Sequence, residues 1–227
     1  TGSDFMIFSY PDIDKVFDTE NNFVNTIVIE NQKLMFDLLT DISYQESGSD
    51  GRATVFDKGK LLSFDKSVEL LTDFIPFDLN KRQLITKANS LLEKSAVSDE
   101  HFSQAGALIS GIEEFLYKLA FDMPGNIYFP KIGIDSVIKA AGLEFTDDYD
   151  SLGEKIIDYF ELVNNYIGKK LFIAVNLRSY INDDECEKML YTVLNHCYNL
   201  IMIENKEHKR LPSENRIIID GDLCVIS

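Results

Sequence analysis

The 227-residue chain is 45% hydrophobic and 26% charged, a globular composition that excludes a disordered, collagen-like or disulfide-scaffold protein. Its 22 Lys and Arg against 38 Asp and Glu leave a formal net charge of −16, the reverse of the basic footprint usual in nucleic-acid binders. No apolar run approaches the roughly 20 residues of a membrane span.

Thr1-Gly2-Ser3 reads as an expression scar, with the native start at or near Met6, and Thr1–Tyr10 shows no secretory signal. Thr26–Glu30 is a short β-branched run that predicts a strand. Asn31 is placed to cap a helix from Gln32 to about Gln45, with Leu34, Phe36, Leu38, Leu39 and Ile42 as its apolar set. Ala53–Phe56 and Lys60–Leu62 predict short strands around a hairpin tip at Asp57-Lys58-Gly59. Val68–Phe74 predicts another strand, closed by Pro76, and Asn80 is placed to cap a helix from Lys81 to about Glu93.

From Ser98 to Phe121 apolar residues recur at helical spacing, with Ser98 as the expected N-cap. Pro124-Gly125 breaks this helix. Ile132–Ala141 predicts a short helix closed by Gly142, and Ser151–Ile167 a second long amphipathic one ending at Gly168. Lys170–Asn176 and Leu200–Glu204 have the continuous apolar cores of strands buried on both faces in a parallel sheet, around a helix at Asp183–Cys197. Arg216–Ile219 and Leu223–Ile226 supply shorter terminal strands. The expected organisation is an α/β head, residues 1–97 and 168–227, interrupted by a helical leg, residues 98–167.

Chemistry is sparse in this frame. The sequence has no GxxxxGK[ST], GxGxxG or GxSxG, and His101, His196 and His208 have no zinc spacing. His196 and Cys197 are adjacent, so on a helix they point about 100° apart and cannot face each other. Cys186, Cys197 and Cys224 share no CxxC spacing and suit a reducing cytoplasm, with Cys197 and Cys224 expected as buried structural thiols. The strand ends would present Glu30, Asp73, Asn176 and Glu204, read here as caps of strands and helices. Without a phosphate loop and its Lys, phosphoryl transfer has no positioning device, so no catalytic residue is assigned. Between Gly51 and Lys94, however, eight basic residues meet six acids, a local net of +2 on a body of −18.

Several blocks together resemble the CRISPR-associated Csn-two family of type II-A systems. They are Thr26–Glu30 with its helix, the basic hairpin Val55-Phe-Asp-Lys-Gly-Lys60, and Glu69-Leu-Leu-Thr-Asp-Phe-Ile-Pro-Phe-Asp-Leu-Asn80. Lys169-Lys-Leu-Phe-Ile-Ala-Val-Asn176, Leu200–Glu204 and Ile218-Ile-Asp220 with the final strand complete the set. The resemblance implies a mainly parallel α/β head like a P-loop nucleoside triphosphatase without its phosphate loop, plus an inserted helical leg. It implies a cytoplasmic bacterial homotetrameric ring that threads double-stranded DNA ends through a basic lumen. It implies a non-enzymatic role in spacer acquisition, antiviral defence, beside the CRISPR integrase and effector nuclease. Calcium commonly stabilises such rings. Here the family's acidic run is replaced by Ala120-Phe-Asp-Met-Pro-Gly125, with Asp122 its one acid, short of the six or more oxygens a calcium ion takes. No metal ligands are assigned.

The expected DNA contacts are Lys58, Lys60, Lys81, Arg82 and Lys87. Lys58 and Lys60 flank Gly59 at the hairpin tip. Lys81 and Arg82 open a helix, where cations cost about 0.3–1 kcal/mol against the macrodipole and an anionic ligand would compensate. The alternatives are a nucleotide-binding enzyme on the α/β head, or a protein-interaction scaffold.

Overall fold

The computed structural model describes residues 6–19 and 22–226, so the expectation for Thr1–Ser3 lies outside the described residues. In chain order the elements are β1 (Met6–Ser9), β2 (Val16–Asp18), β3 (Val24–Ile29), α1 (Gln32–Glu46), β4 (Thr54–Asp57), β5 (Lys60–Leu62) and α2 (Phe64–Ser67). There follow β6 (Val68–Leu71), α3 (Arg82–Ala96), α4 (Phe102–Ala120), α5 (Ile134–Ala141) and α6 (Leu152–Leu162), which runs on as a π-helical turn to Ile167. β7 (Leu171–Val175), α7 (Asp183–Asn195), β8 (Asn199–Glu204), β9 (Glu214–Ile219) and β10 (Val225–Ile226) complete the set.

The chain divides into two compact units, one formed by residues 1–78 and 147–227, the other by 79–146. These boundaries differ from the expected 97/98 and 167/168, and for a visible reason. Phe160 on α6 stacks on Phe172 of β7 with ring centroids 4.0 Å apart, and both are buried. The Gly153 N–H of α6 donates to Glu185 of α7 at 2.9 Å. Burial of that stripe against the sheet makes α6 part of the first unit. In the second unit, α3 is tied to α5 by Lys139 and Glu93, 3.3 Å apart.

The first unit holds two sheets. The larger has the order β10-β9-β3-β8-β7-β6, parallel except for β10. Its central strands β3, β7 and β8 are buried at every position, which is why their sequences read as unbroken apolar runs. Counting the parallel strands in chain order from β3, the order is that of P-loop nucleoside triphosphatases, and the fold is of that α/β class. The smaller sheet, β2-β1-β4-β5, is antiparallel and includes two strands, β1 and β2, that the sequence reading did not predict.

One apolar core joins them. Ile27 and Ile29, Ile173 and Val175, Ile201 and Ile203, and Ile217 and Ile219 face Leu34, Leu38 and Ile42 of α1 and Met6, Phe8 and Val55 of the smaller sheet. The period-two alternation puts Phe172 and Met202 on the other face, toward α6 and α7. Asn31 caps α1 as expected, accepting from the Leu34 N–H at 2.9 Å. Two other expected caps are corrected. Ser98 turns its hydroxyl back to the Ser95 carbonyl, and α4 begins at Phe102. Asn80 gives both ends of its amide to the Phe145 backbone, accepting at 2.7 Å and donating at 3.1 Å, so α3 starts without a side-chain cap.

Candidate nucleic-acid interface

Lys58 and Gly59 form the whole turn between β4 and β5, because Asp57 pairs directly with Lys60. Both turn residues have positive φ, 50° and 79°, the signs of a type I′ hairpin turn. Lys58, in the turn, and Lys60, directly after it, are both exposed at the tip. The tip is tied to the sheet as well: Lys170 lies 3.3 Å from Asp57, the residue directly before the turn.

Lys81 occupies the N-cap position of α3, and Arg82, exposed like it, is the first helical residue. The first turn of α3 carries no acid. Its leading N–H groups and two cations therefore add to one local positive potential. Lys87 is also exposed but is not brought to this point. Five residues along an α-helix is a rotation of about 140°, so Lys87 shares its side of α3 with Lys94, not with Arg82. Lys58 and Lys60 belong to the first compact unit, and Lys81, Arg82 and Lys87 to the second.

Of the strand-end residues, Asp73 and Asn176 act as caps. Asp73 accepts from the Ile75 N–H at 3.1 Å, and Asn176, in the left-handed region at φ 54°, accepts from the Asn205 N–H at 2.9 Å. Between β3 and α1 there are only Glu30 and Asn31, and Asn31 also donates to the Gly221 carbonyl at 2.9 Å. A link of that length leaves no room for a phosphate-cradling loop at the place where such folds carry one.

Two buried ion networks went unread in the sequence. Lys169 is almost wholly buried, 2.6 Å from Glu46 and 2.8 Å from Glu69, and Tyr159 donates to Glu69. Burial alone would lower the Lys169 pKa, but the Glu69 and Glu46 carboxylates outweigh it and hold it above the ordinary range. Arg178 lies 3.2 Å from Glu214 and 2.6 Å from Asp183, and its N–H donates to Glu204 at 3.1 Å. Burial pushes the Glu204 carboxyl up to about 7, against the pull of the Arg178 N–H and guanidinium. Both networks depend on partners far away in sequence, so no local spacing signals them.

Cys186 is the buried thiol, its pKa pushed up to about 12 by desolvation, whereas Cys197 and Cys224 are exposed, contrary to expectation. Asp122 is exposed, and no group of three or more His, Cys, Asp or Glu suited to a metal ion occurs among the described residues. The segment does not fit a calcium ion. No helix among the described residues is long and apolar enough to cross a membrane.

The chain is similar to known proteins over most of its length. A CRISPR-associated protein Csn2 of Streptococcus agalactiae is 24% identical over 173 residues, 75% of this chain and 76% of that protein. The crystal structure of Stu0660 of Streptococcus thermophilus superposes with a TM-score of 0.54 at 12% identity, covering 95% of this chain and 74% of the other. An ATP-binding cassette from an ABC transporter, nucleotide-free, gives a TM-score of 0.45 at 14% identity, covering 96% and 88%. Residues 45–223 match the family described as CRISPR-associated protein (Cas_Csn2), and the chain belongs to that family.

Proposed function

We propose that this protein serves CRISPR spacer acquisition as a sequence-independent clamp on double-stranded DNA ends, working as a homotetrameric ring and not as an enzyme. The observation that carries the reading is the presentation of exposed cation pairs at two fixed backbone positions. These are the hairpin tip, Lys58 and Lys60, and the uncapped start of α3, Lys81 and Arg82, in a chain of net charge −16. An acidic body repels duplex approaching from the side and leaves basic points to guide it. Phosphate contacts of this type carry no sequence information. The short Glu30–Asn31 link supports the non-enzymatic half of the reading. Lys87 serves as a lesser contact on another side of α3. Calcium enters no step. The CRISPR integrase and effector nuclease are the partners the family suggests.

Equilibrium binding of linear against closed-circular duplex tests this reading. Linear duplex should bind and closed circles should not, and affinity should fall with salt by about 0.9 log unit per log unit for each neutralised phosphate. Reversing Lys58, Lys60, Lys81 and Arg82 to Glu should abolish binding while light scattering still reports the tetramer. Equal binding of circles and linear duplex would overturn the end-clamp. ATP turnover that disappears in Asn176→Ala would instead establish the enzyme alternative.

A further inference from the structure

The densest run of cations in the chain lies outside the window discussed above. Lys206, Lys209 and Arg210 fall within five residues, and no other five-residue stretch holds three Lys or Arg. They sit on the connection that leaves the C-terminal end of β8 and returns to the start of the parallel strand β9. All three are exposed, and none has an ion-pair partner among the described residues. Acids outnumber cations 38 to 22 in this chain, so three cations side by side, none held in an ion pair among the described residues, are not what an evenly mixed surface yields.

The segment is also pinned. Arg216, on the neighbouring strand β9, donates to the His208 carbonyl at 2.5 Å. The same guanidinium lies 2.9 Å from Glu207, so the one acid inside the run is neutralised by a side chain only 13% exposed. His208 turns inward, with its Nε2 3.6 Å from the Glu204 carboxylate. Leu211 is buried and anchors the far end. The backbone is thus held through Arg216, His208 and Leu211 while Lys206, Lys209 and Arg210 stay exposed. A pinned segment loses less freedom on binding than a mobile one, so more of its electrostatic attraction survives as affinity.

We propose that the Lys206–Arg210 segment is a further phosphate-backbone contact for duplex DNA, with Arg216 as its positioning residue. The proposal rests on the DNA-binding reading above and adds a surface to it. Long cations without bidentate partners suit a repeated phosphate array better than a single small anion.

The test is fluorescence anisotropy of a short blunt duplex, titrated with full-length protein across a salt series. Lys206→Glu, Lys209→Glu and Arg210→Glu together should weaken binding at least tenfold. They should also flatten the log–log salt slope by roughly 2–3, about 0.9 per lost phosphate contact. A control with the same charge change on exposed residues of the same unit, Lys33→Glu, Lys66→Glu and Lys188→Glu, should keep the wild-type slope. Arg216→Gln should weaken binding while retaining all three exposed cations, and its rescue by Arg216→Lys should be partial. Circular dichroism and melting establish that each variant is folded. If wild type binds and the Lys206–Arg210 variant matches the control in slope and affinity, this inference is wrong and the DNA reading stands. If wild type binds no linear duplex, both fall.

Discussion

Helices α4 and α7 carry the same pattern and meet opposite fates. In α7, Cys186, Met189, Leu190 and Val193 recur at helical spacing and all are buried against the parallel sheet. In α4, Leu108, Ile112, Phe115 and Leu119 form an equally regular stripe along one side, yet no residue of its 19 is buried. Leu108, Phe115 and Leu119 are each more than half exposed. An amphipathic stripe records that a helix packs against something; it does not say whether that partner is in the same chain. The sheet supplies it for α7. For α4 a neighbouring copy in the proposed tetramer would supply it, and burying a Leu or Phe side chain there would be worth about 1.5–3 kcal/mol per copy.

The comparison can be broken most directly with two phenylalanines. Phe160→Ala removes a fully buried ring stacked on Phe172 and should destabilise the first unit by about 3–5 kcal/mol in chemical denaturation. Phe115→Ala deletes a ring that is 60% exposed within its own chain. In dilute monomer it should change stability by no more than about 0.5 kcal/mol. Phe115→Glu should instead convert the assembly to smaller species in sedimentation equilibrium. If Phe115→Glu sediments like wild type, α4 is not the assembly surface.

How far the sequence reveals the protein follows the same division between local and distant causes. The run Leu171–Val175 reads as a buried parallel strand because both faces are covered, and it is one. Asn31 caps α1 because its partner is three residues away. Asn80 has an equally good local signature and does something else, since Phe145, 65 residues on, claims its amide. Lys169 reads as one of a pair of strand-flanking lysines. Its burial is decided by Glu46, 123 residues earlier in the chain. The strands β1 and β2 are only four and three residues long, and the hairpin they form is completed by β4, some 45 residues on, so their short runs carry little signal of a sheet. At the candidate interface, the hairpin tip is legible from Lys58-Gly59, whereas the start of α3 carries two cations without the acid or side-chain cap that local signals lead one to expect.

Buried polar groups sharpen the contrast, because among the described residues the fully buried charged side chains, Glu204 and Glu214 with Arg178, lie in the first unit. Glu204 is fully buried and its folded pKa, about 7, lies above the ordinary carboxylate value. A carboxyl with a raised folded pKa binds more protons folded than unfolded. Stability therefore falls as pH rises from about 4.5 through 7, by on the order of 3 kcal/mol at the limit. His208, lowered by burial, works in the other sense and costs stability as pH drops below its ordinary range. The Arg178 and Lys206 charges act on both groups, and the buried Glu214 carboxyl, itself raised by burial, adds to the rise of Glu204. Glu204→Gln keeps the shape and removes the titration. It should be more stable than wild type at pH 8 and indistinguishable near pH 5 in urea melts. A stability difference between Glu204→Gln and wild type that stays constant between pH 5 and 8 would show that the carboxyl is solvated.

The smallest effect separates folding from binding at one residue. Lys58 adopts φ 50° at the first central position of its turn, a region in which a non-glycine side chain crowds the following carbonyl at a cost of about 1–2 kcal/mol. Asn tolerates that conformation and is favoured at this position of type I′ turns. Lys58→Asn should therefore stabilise the hairpin by roughly 0.5–1 kcal/mol, a rise in melting temperature of a few degrees at most. If Lys58 is retained for a phosphate contact, the same substitution should weaken linear-duplex binding and lower the salt slope by about 0.9. The two measurements then move in opposite directions: a more stable protein that binds less well. A variant that gains stability and binds with an unchanged slope removes Lys58 from the interface and leaves Lys60 to act there alone.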